Sequence, residues 1–239
     1  MAHTFTANLK TAGYQSIAAI DTLTSALNGA EWSILVNPAT ASTMPVTDFP
    51  ASTTAGVAHN ITVTLKDAYG NIASGYSGTV HFTSSDAKAT LPVNYTFTAA
   101  DAGQHTFSAT LRTAGTRSIT AADALASALK ATESGLTVNA AAASKFLITI
   151  PSTITAGVPF NVTFAVQDAY GNVVTGYTGA VHFTSTDRSA TLPANYAFTA
   201  ADKGIHTFAG VLRKRGKQKI TVGDTLNTSL TNTVAVNVE

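Results

Sequence analysis

Phe160-Asn161-Val162-Thr163-Phe164-Ala165-Val166 alternates apolar with small or polar residues, and Asp168-Ala169-Tyr170-Gly171-Asn172 follows it. Such alternation predicts a half-buried antiparallel strand, because successive side chains leave opposite faces of a pleated chain. The pentapeptide predicts the turn that ends the strand: Gly supplies a positive φ, and the Asp and Asn side chains bond to nearby backbone amides. The same turn stands earlier as Asp67-Ala68-Tyr69-Gly70-Asn71, at an offset of 101 residues.

That offset organises the chain. Val80-His81-Phe82-Thr83-Ser84 returns as Val181-His182-Phe183-Thr184-Ser185, and Tyr95 to His105, YTFTAADAGQH, returns as Tyr196 to His206, YAFTAADKGIH. The first 37 residues match only the back half of the unit. There His3-Thr4-Phe5 aligns with His105-Thr106-Phe107, and Leu9-Lys10-Thr11-Ala12-Gly13 with Leu111-Arg112-Thr113-Ala114-Gly115. The expected organisation is the C-terminal part of a repeat over residues 1–37, then full repeats over 44–139 and 143–239, as in a piece cut from a longer array. The linkers, Asn37 to Ser42 and Asn139 to Ser144, are short and small and keep neighbouring repeats close.

Further strand signals in the last repeat lie at Phe146–Ile150, Ala180–Thr184, Tyr196–Thr199, His206–Leu212, Lys219–Val222 and Thr233–Val238. Ala121 to Glu133, AADALASALKATE, is helical by composition, but its counterpart Gly223 to Asn232, GDTLNTSLTN, is not, and both are read as a surface loop. Seven or eight short strands per repeat with frequent turn signals predict an all-β chain of tandem two-sheet sandwiches.

Composition narrows the function classes. Charged residues make up 11%, against about 25% in an average soluble domain, and a formal charge of +1 gives no field to draw nucleic acid or an anionic membrane. The chain has no Cys, which excludes disulfides, thiolate zinc sites and a cysteine nucleophile. No apolar run reaches the ~18 residues of a membrane span.

Asp101-Ala102-Gly103-Gln104-His105-Thr106-Phe107 has the shape of the corner motif at the start of strand F in antibody-type sandwiches, with His105 in the ring position and Phe107 in the core position; His3 and His206 fall alike. The succession of alternating strand, D-A-Y-G-N, G-Y-[ST]-G, second strand, A-D-x-G-x-H-T-F and Gly hairpin resembles bacterial immunoglobulin-like repeats of the invasin and intimin type and, more loosely, filamin repeats. The resemblance covers both full repeats and the fragment. It implies an immunoglobulin-like fold, an extracellular or cell-surface place, and a role in the stalks and spacers of large adhesins; it implies no ligand residue.

Candidate sites are few. The six His residues show no zinc-ligand spacing and are read as structural or surface groups. Asp67, Asn71, Asp86 and Asp101 could offer calcium oxygens, but lone acids in turns read as backbone caps. No cofactor is expected, and no nucleophile or paired carboxylate recurs, so no catalytic activity is expected. Lys66 shares the strand parity of Thr62 and Thr64 and should point outward, away from any isopeptide chemistry. Tyr69, Tyr76, Tyr170 and Tyr177 lie in turns where a ring could stack on sugar, with Tyr76 and Tyr177 the foremost candidates. The last hairpin replaces small residues with Arg213, Lys214, Arg215, Lys217 and Lys219, either a solubilising edge or an anion-binding tip for a surface glycan or other polyanion.

The leading expectation is a structural spacer whose partners are neighbouring repeats. The alternative is a carbohydrate-binding accessory module of a secreted enzyme. Residues 1–37 keep an apolar face in Phe5, Leu9, Ile17, Ile20, Leu35 and Val36 without the strands that should cover it, which predicts a homodimer through this segment.

Overall fold

The computed structural model describes residues 2–239. Its strands, in chain order, begin with β1 (Gly13–Ile20) and β2 (Asn28–Val36). The middle repeat holds β3 (Val46–Thr47), β4 (Ser52–Thr54), β5 (Ala58–Thr64), β6 (Thr79–Ser84), β7 (Tyr95–Thr96), β8 (Gln104–Thr110), β9 (Gly115–Asp123) and β10 (Lys130–Asn139). The last holds β11 (Lys145–Thr149), β12 (Thr153–Ile154), β13 (Phe160–Gln167), β14 (Ala180–Ser185), β15 (Tyr196–Ala197), β16 (Ile205–Gly210), β17 (Gly216–Asp224) and β18 (Thr231–Val238). The fold is all-β, an immunoglobulin-like sandwich in each full repeat; among the described residues the only helical pieces are two 3-10 turns, Ala99–Asp101 and Ala200–Asp202.

The backbone divides into two compact units. The first comprises Met1–Ala51, Ala58–Thr110 and Thr116–Leu136; the second comprises Ser52–Val57, Leu111–Gly115 and Thr137–Glu239. The second unit therefore holds β4 with the turn after it, one hairpin tip and the end of β10 from the middle repeat, together with the whole of the last.

In the first unit β3, β5 and β8 form one antiparallel sheet, and β10, β9, β6 and β7 follow one another in a second. Ile61, Val63 and Leu65 are fully buried, and the rings of Phe82 on β6 and Phe107 on β8 meet with centroids 4.8 Å apart. In the second unit β11, β13 and β16 face β12, β18, β17, β14 and β15. Their core joins Phe146, Val162 and Phe164 of the first sheet to Val181, Ile220 and Val236 of the second. Burying each such side chain contributes about 1.5–3 kcal/mol, and in a chain without Cys this packing takes the place of an inter-sheet disulfide. Ser52–Thr54 runs parallel to Thr137–Asn139, as β12 does to β18, so an otherwise antiparallel sheet is closed by one parallel edge.

Three details depart from a uniform repeat. Met44 takes the buried place of Phe146 and Pro45 that of Leu147, since Val46 pairs with Val63 as Ile148 does with Phe164; proline brings no N–H to the ladder, and β3 has two residues where β11 has five. The pairing Thr137↔Ser52 becomes Asn237↔Thr153, an offset of 100 rather than 101; the extra residue is Gly135 at φ 75° within β10, and β18 contains no Gly. The stretch 121–133 is not all loop: Ala121–Asp123 completes β9, where Ala121 and Ala122 are buried, and β10 begins at Lys130. Packing against the facing sheet outweighs the helix propensity of its alanines.

One backbone position is confined by both conformation and space. Gly103 (φ 82°) and Gly204 (φ 75°) precede β8 and β16, and an added Cβ at Gly103 would lie 2.8 Å from the Ala73 carbonyl oxygen. The corresponding contact at Gly204 is to the Val174 carbonyl and is tighter. Gly204→Ala is therefore expected to cost at least about 1–3 kcal/mol, read as a lower urea midpoint, while Gly176→Ala, in open space, is expected to shift it far less.

Candidate functional site

The two D-A-Y-G-N turns are built alike and end in the same contact. Asp67 Oδ1 accepts hydrogen bonds from the Tyr69 and Asn71 backbone N–H groups, both at 2.9 Å. Its Oδ2 accepts from Asn71 Nδ2 at 2.8 Å and from the N–H of Ala39, in the linker, at 2.9 Å. In the second unit Asp168 accepts from Tyr170, Asn172 and Ala141 in the same way. Each carboxylate thus fastens both its own turn and the chain entering its repeat.

The asparagine then reaches the hairpin of the preceding repeat. Asn71 Nδ2 donates to the Lys10 carbonyl at 2.8 Å, and Asn71 Oδ1 accepts from Ala12 N–H at 2.9 Å. In the second unit Asn172 Nδ2 donates to the Arg112 carbonyl at 2.7 Å and Oδ1 accepts from Ala114 N–H at 2.8 Å. A primary amide carries one donor edge and one acceptor, like a peptide group, so it extends the hairpin tip as a one-residue bridge. Over each joint a cation faces the turn tyrosine: Lys10 Nζ lies 5.4 Å from the Tyr69 ring centre, and the Arg112 guanidinium 5.9 Å from that of Tyr170.

Electrostatics favour these carboxylates ionised. Burial raises the pKa of Asp67, but the Asn71 side chain and the Ala39, Tyr69 and Asn71 N–H groups outweigh it and bring the group down to about 2. Asp168 is also lowered, burial again being outweighed by the equivalent donors.

The expected glycan-stacking residues, Tyr76 and Tyr177, are half-buried, and their hydroxyls donate to Asp123 and Asp224. Their rings lie over Gly78 and Gly179 and meet Phe97 and Phe198 edge-on at 5.3 Å. Burial and the paired carboxylate both push these phenols upward. Each ring is in effect a latch between the loop before β6 or β14 and the end of β9 or β17. A shallow cleft of about 400 Å³ lies beside Tyr76, lined by linker residues Pro38–Ala41 and by Gly75, Ser77 and Gly78 without a charged group. Of the other turn tyrosines, Tyr69 is 53% exposed and Tyr170 packs its hydroxyl against Gly56.

The corner expectation for the histidines is corrected. His105 and His206 open β8 and β16, in the three-stranded sheets, rather than the strand that would correspond to F. The Asp of the motif closes a one-turn 3-10 capping box with Thr98 or Thr199 and accepts from the histidine Nδ1 at 2.7 Å and from Tyr95 or Tyr196 at 2.9 or 2.8 Å. The histidine is therefore held by its own turn. Backbone donation from Thr98 and Thr199 is the largest cause that lowers Asp101 and Asp202. Among the described residues no three His, Asp or Glu side chains gather as a metal would require.

Arg213, Lys214, Arg215, Lys217 and Lys219 are all exposed. Asp187 Oδ2 accepts from the N–H groups of Arg213 and Lys214 at 2.6 and 2.9 Å, and the Arg213 guanidinium donates to Ser189 O and Thr191 Oγ1. Lys66 is half-buried and its backbone bridges to Thr43 and Ile72. The hairpin β1–β2 leaves Tyr14, Trp32 and Leu35 well exposed, at 76%, 68% and 57%.

No family model matches the chain, and no curated protein matches it. Solved structures similar to it include FdeC, an Escherichia coli adhesin, at 18% identity and a TM-score of 0.46, with 97% of this chain and 87% of that one covered. The Yersinia pseudotuberculosis adhesin InvE is 14% identical with a TM-score of 0.36, covering 82% of this chain and 58% of that one. A Bacteroides vulgatus β-glycosidase is 11% identical with a TM-score of 0.38, and the match spans 82% of this chain but 24% of the enzyme.

Two outcomes are expected. The folded-state pKa of Asp67 is depressed, from 3.8 to about 2, so its stabilisation is complete above the unfolded value and lost as pH falls through the folded one. Melting temperature should therefore drop between about pH 4 and pH 2, and a scanning calorimetry profile flat through that window would contradict it. Tyr177→Phe leaves Asp224 without its phenol donor and should cost about 1.5–3 kcal/mol by denaturant titration.

Proposed function

We propose that this chain is a structural spacer of a cell-surface, adhesin-type protein, in which successive immunoglobulin-like repeats are held in sequence by a repeated joint. The observation that carries the reading is the duplicated asparagine contact, Asn71 with Lys10 and Ala12, and Asn172 with Arg112 and Ala114. A spacer must resist bending where its modules meet. Here the linker, the turn and the preceding hairpin converge on one carboxylate and one amide, at the same positions of each repeat. The low charge content suits a surface that gives long-range attraction to no class of polyelectrolyte. Residues 1–37 fit the same reading, with the apolar face of β1–β2 belonging against the front strands of a like repeat; in isolation a second copy of the segment would cover it.

The test uses the absence of Cys. A nitroxide on Thr113→Cys, in the hairpin tip that receives Asn172, should give a slow, ordered electron-resonance spectrum. Asn172→Ala should make it faster without lowering the content of β-structure. A fast spectrum in the otherwise unaltered chain would overturn the spacer reading. For the fragment, sedimentation of the whole chain should show a dimer that becomes a monomer when residues 1–37 are removed; a monomer in both cases would remove the exchange.

A further inference from the structure

The chain carries three copies of one hairpin tip but only two D-A-Y-G-N turns to fill them. Leu9-Lys10-Thr11-Ala12-Gly13 receives Asn71, and Leu111-Arg112-Thr113-Ala114-Gly115 receives Asn172. The third copy is Leu212-Arg213-Lys214-Arg215-Gly216. Gly216 has φ 93°, like Gly13 at 107° and Gly115 at 112°, and the Asp187 carboxylate fixes the Arg213 and Lys214 N–H groups. The groups that grip asparagine elsewhere are the carbonyl of the first cation and the N–H two residues on. Here they are the Arg213 carbonyl and the Arg215 N–H, and neither has a hydrogen-bond partner among the described residues.

The end of the last repeat is prepared as well. Ala156 N–H donates to the Glu239 carbonyl as Ala55 N–H does to that of Asn139, both at 2.8 Å, so Glu239 occupies the place from which the linker Ala140–Ser144 sets out in the middle repeat. Tip and strand end therefore present the same two halves of a joint that the middle repeat presents to the last.

We infer that Arg213–Gly216 is a docking tip for the D-x-Y-G-N turn of a further repeat of this kind. The incoming asparagine donates to the Arg213 carbonyl and accepts from Arg215 N–H, and its turn tyrosine comes beneath Arg213, which holds the sequence position of Lys10 and Arg112. The inference rests on the spacer reading and assigns the tip a protein partner rather than an anion. Lys214, Lys217 and Lys219 and the Arg215 side chain would surround this contact without making it.

The experiment extends the whole chain by a second copy of residues 140–239 placed directly after Glu239, which reproduces the register of the existing joint, and follows amide hydrogen exchange by NMR. Ala12 and Ala114 N–H report the two existing joints, and Arg215 N–H reports the tip. In the extended chain Arg215 exchange should slow at least tenfold relative to the parent, and replacing the added copy's asparagine, the equivalent of Asn172, with Ala should restore the parent rate. Slow exchange at Ala12 and Ala114 with no change at Arg215 would overturn the docking tip and leave the spacer reading standing; fast exchange at Ala12 and Ala114 would count against the spacer itself. A Lys214→Thr, Arg215→Ala variant of the extended chain should be protected at residue 215 to a similar degree. Protection only in that variant would mean that the cations bar such a turn, and the proposal would fall. Slowed exchange of Arg215 in the parent on adding heparin oligosaccharide, with none on adding the repeat, would make the tip an anion site instead.

Discussion

A carboxylate taken out of water must be repaid by hydrogen bonds, and Asp67 and Asp168 each collect four N–H donors. The donors come from two places: the turn that the aspartate begins and the linker that enters its repeat. Satisfying one buried charge therefore fixes the turn, aims the linker and orients the asparagine at the turn's end. The joint to the preceding hairpin follows from that orientation. An aspartate in a turn is a local feature in most proteins; here its second oxygen makes it an organiser of the junction.

The remaining polar burial follows the same economy. Asp123 and Asp224 accept from the N–H groups of the loops that follow them and from a tyrosine latched over glycine. Asp101 and Asp202 close a 3-10 turn and tether a histidine and a tyrosine. Each aspartate is the hub of a turn, while the apolar sandwich supplies the bulk of the stabilisation. The loops of a Cys-free chain can be held in this way without disulfides, and the arrangement is reproduced between repeats even where strand lengths differ, as at Pro45 and Gly135.

Much of this architecture was legible from residue order. Period-two alternation located β13 to within one residue, since burial of one face forces that pattern. The D-A-Y-G-N and A-D-x-G motifs marked turns because their glycines must adopt positive φ, as Gly70, Gly103, Gly171 and Gly204 do. Reading residues 121–133 as a surface loop set aside their helical composition rightly but missed the end of β9 and the start of β10, which packing between two sheets extends into the stretch. Reading the histidine motif as an F-strand corner also failed. A motif gives local shape, and only strand order tells which sheet receives it.

The sequence by itself determined the repeat, the strands, the turns and the absence of disulfides, because each depends on neighbours a few residues away or on composition alone. Tertiary structure decided what the turn side chains do. Asn71 meets Lys10 across 61 residues, Asn172 meets Arg112 across 60, and Tyr76 meets Asp123 across 47. No periodicity encodes such partners. They are set by which hairpin tip the linker brings up against the turn, and a hydrogen bond is sharply selective for distance and direction, so in the sequence the asparagine read as a residue of its own turn, and it became a joint once the chain had folded around it.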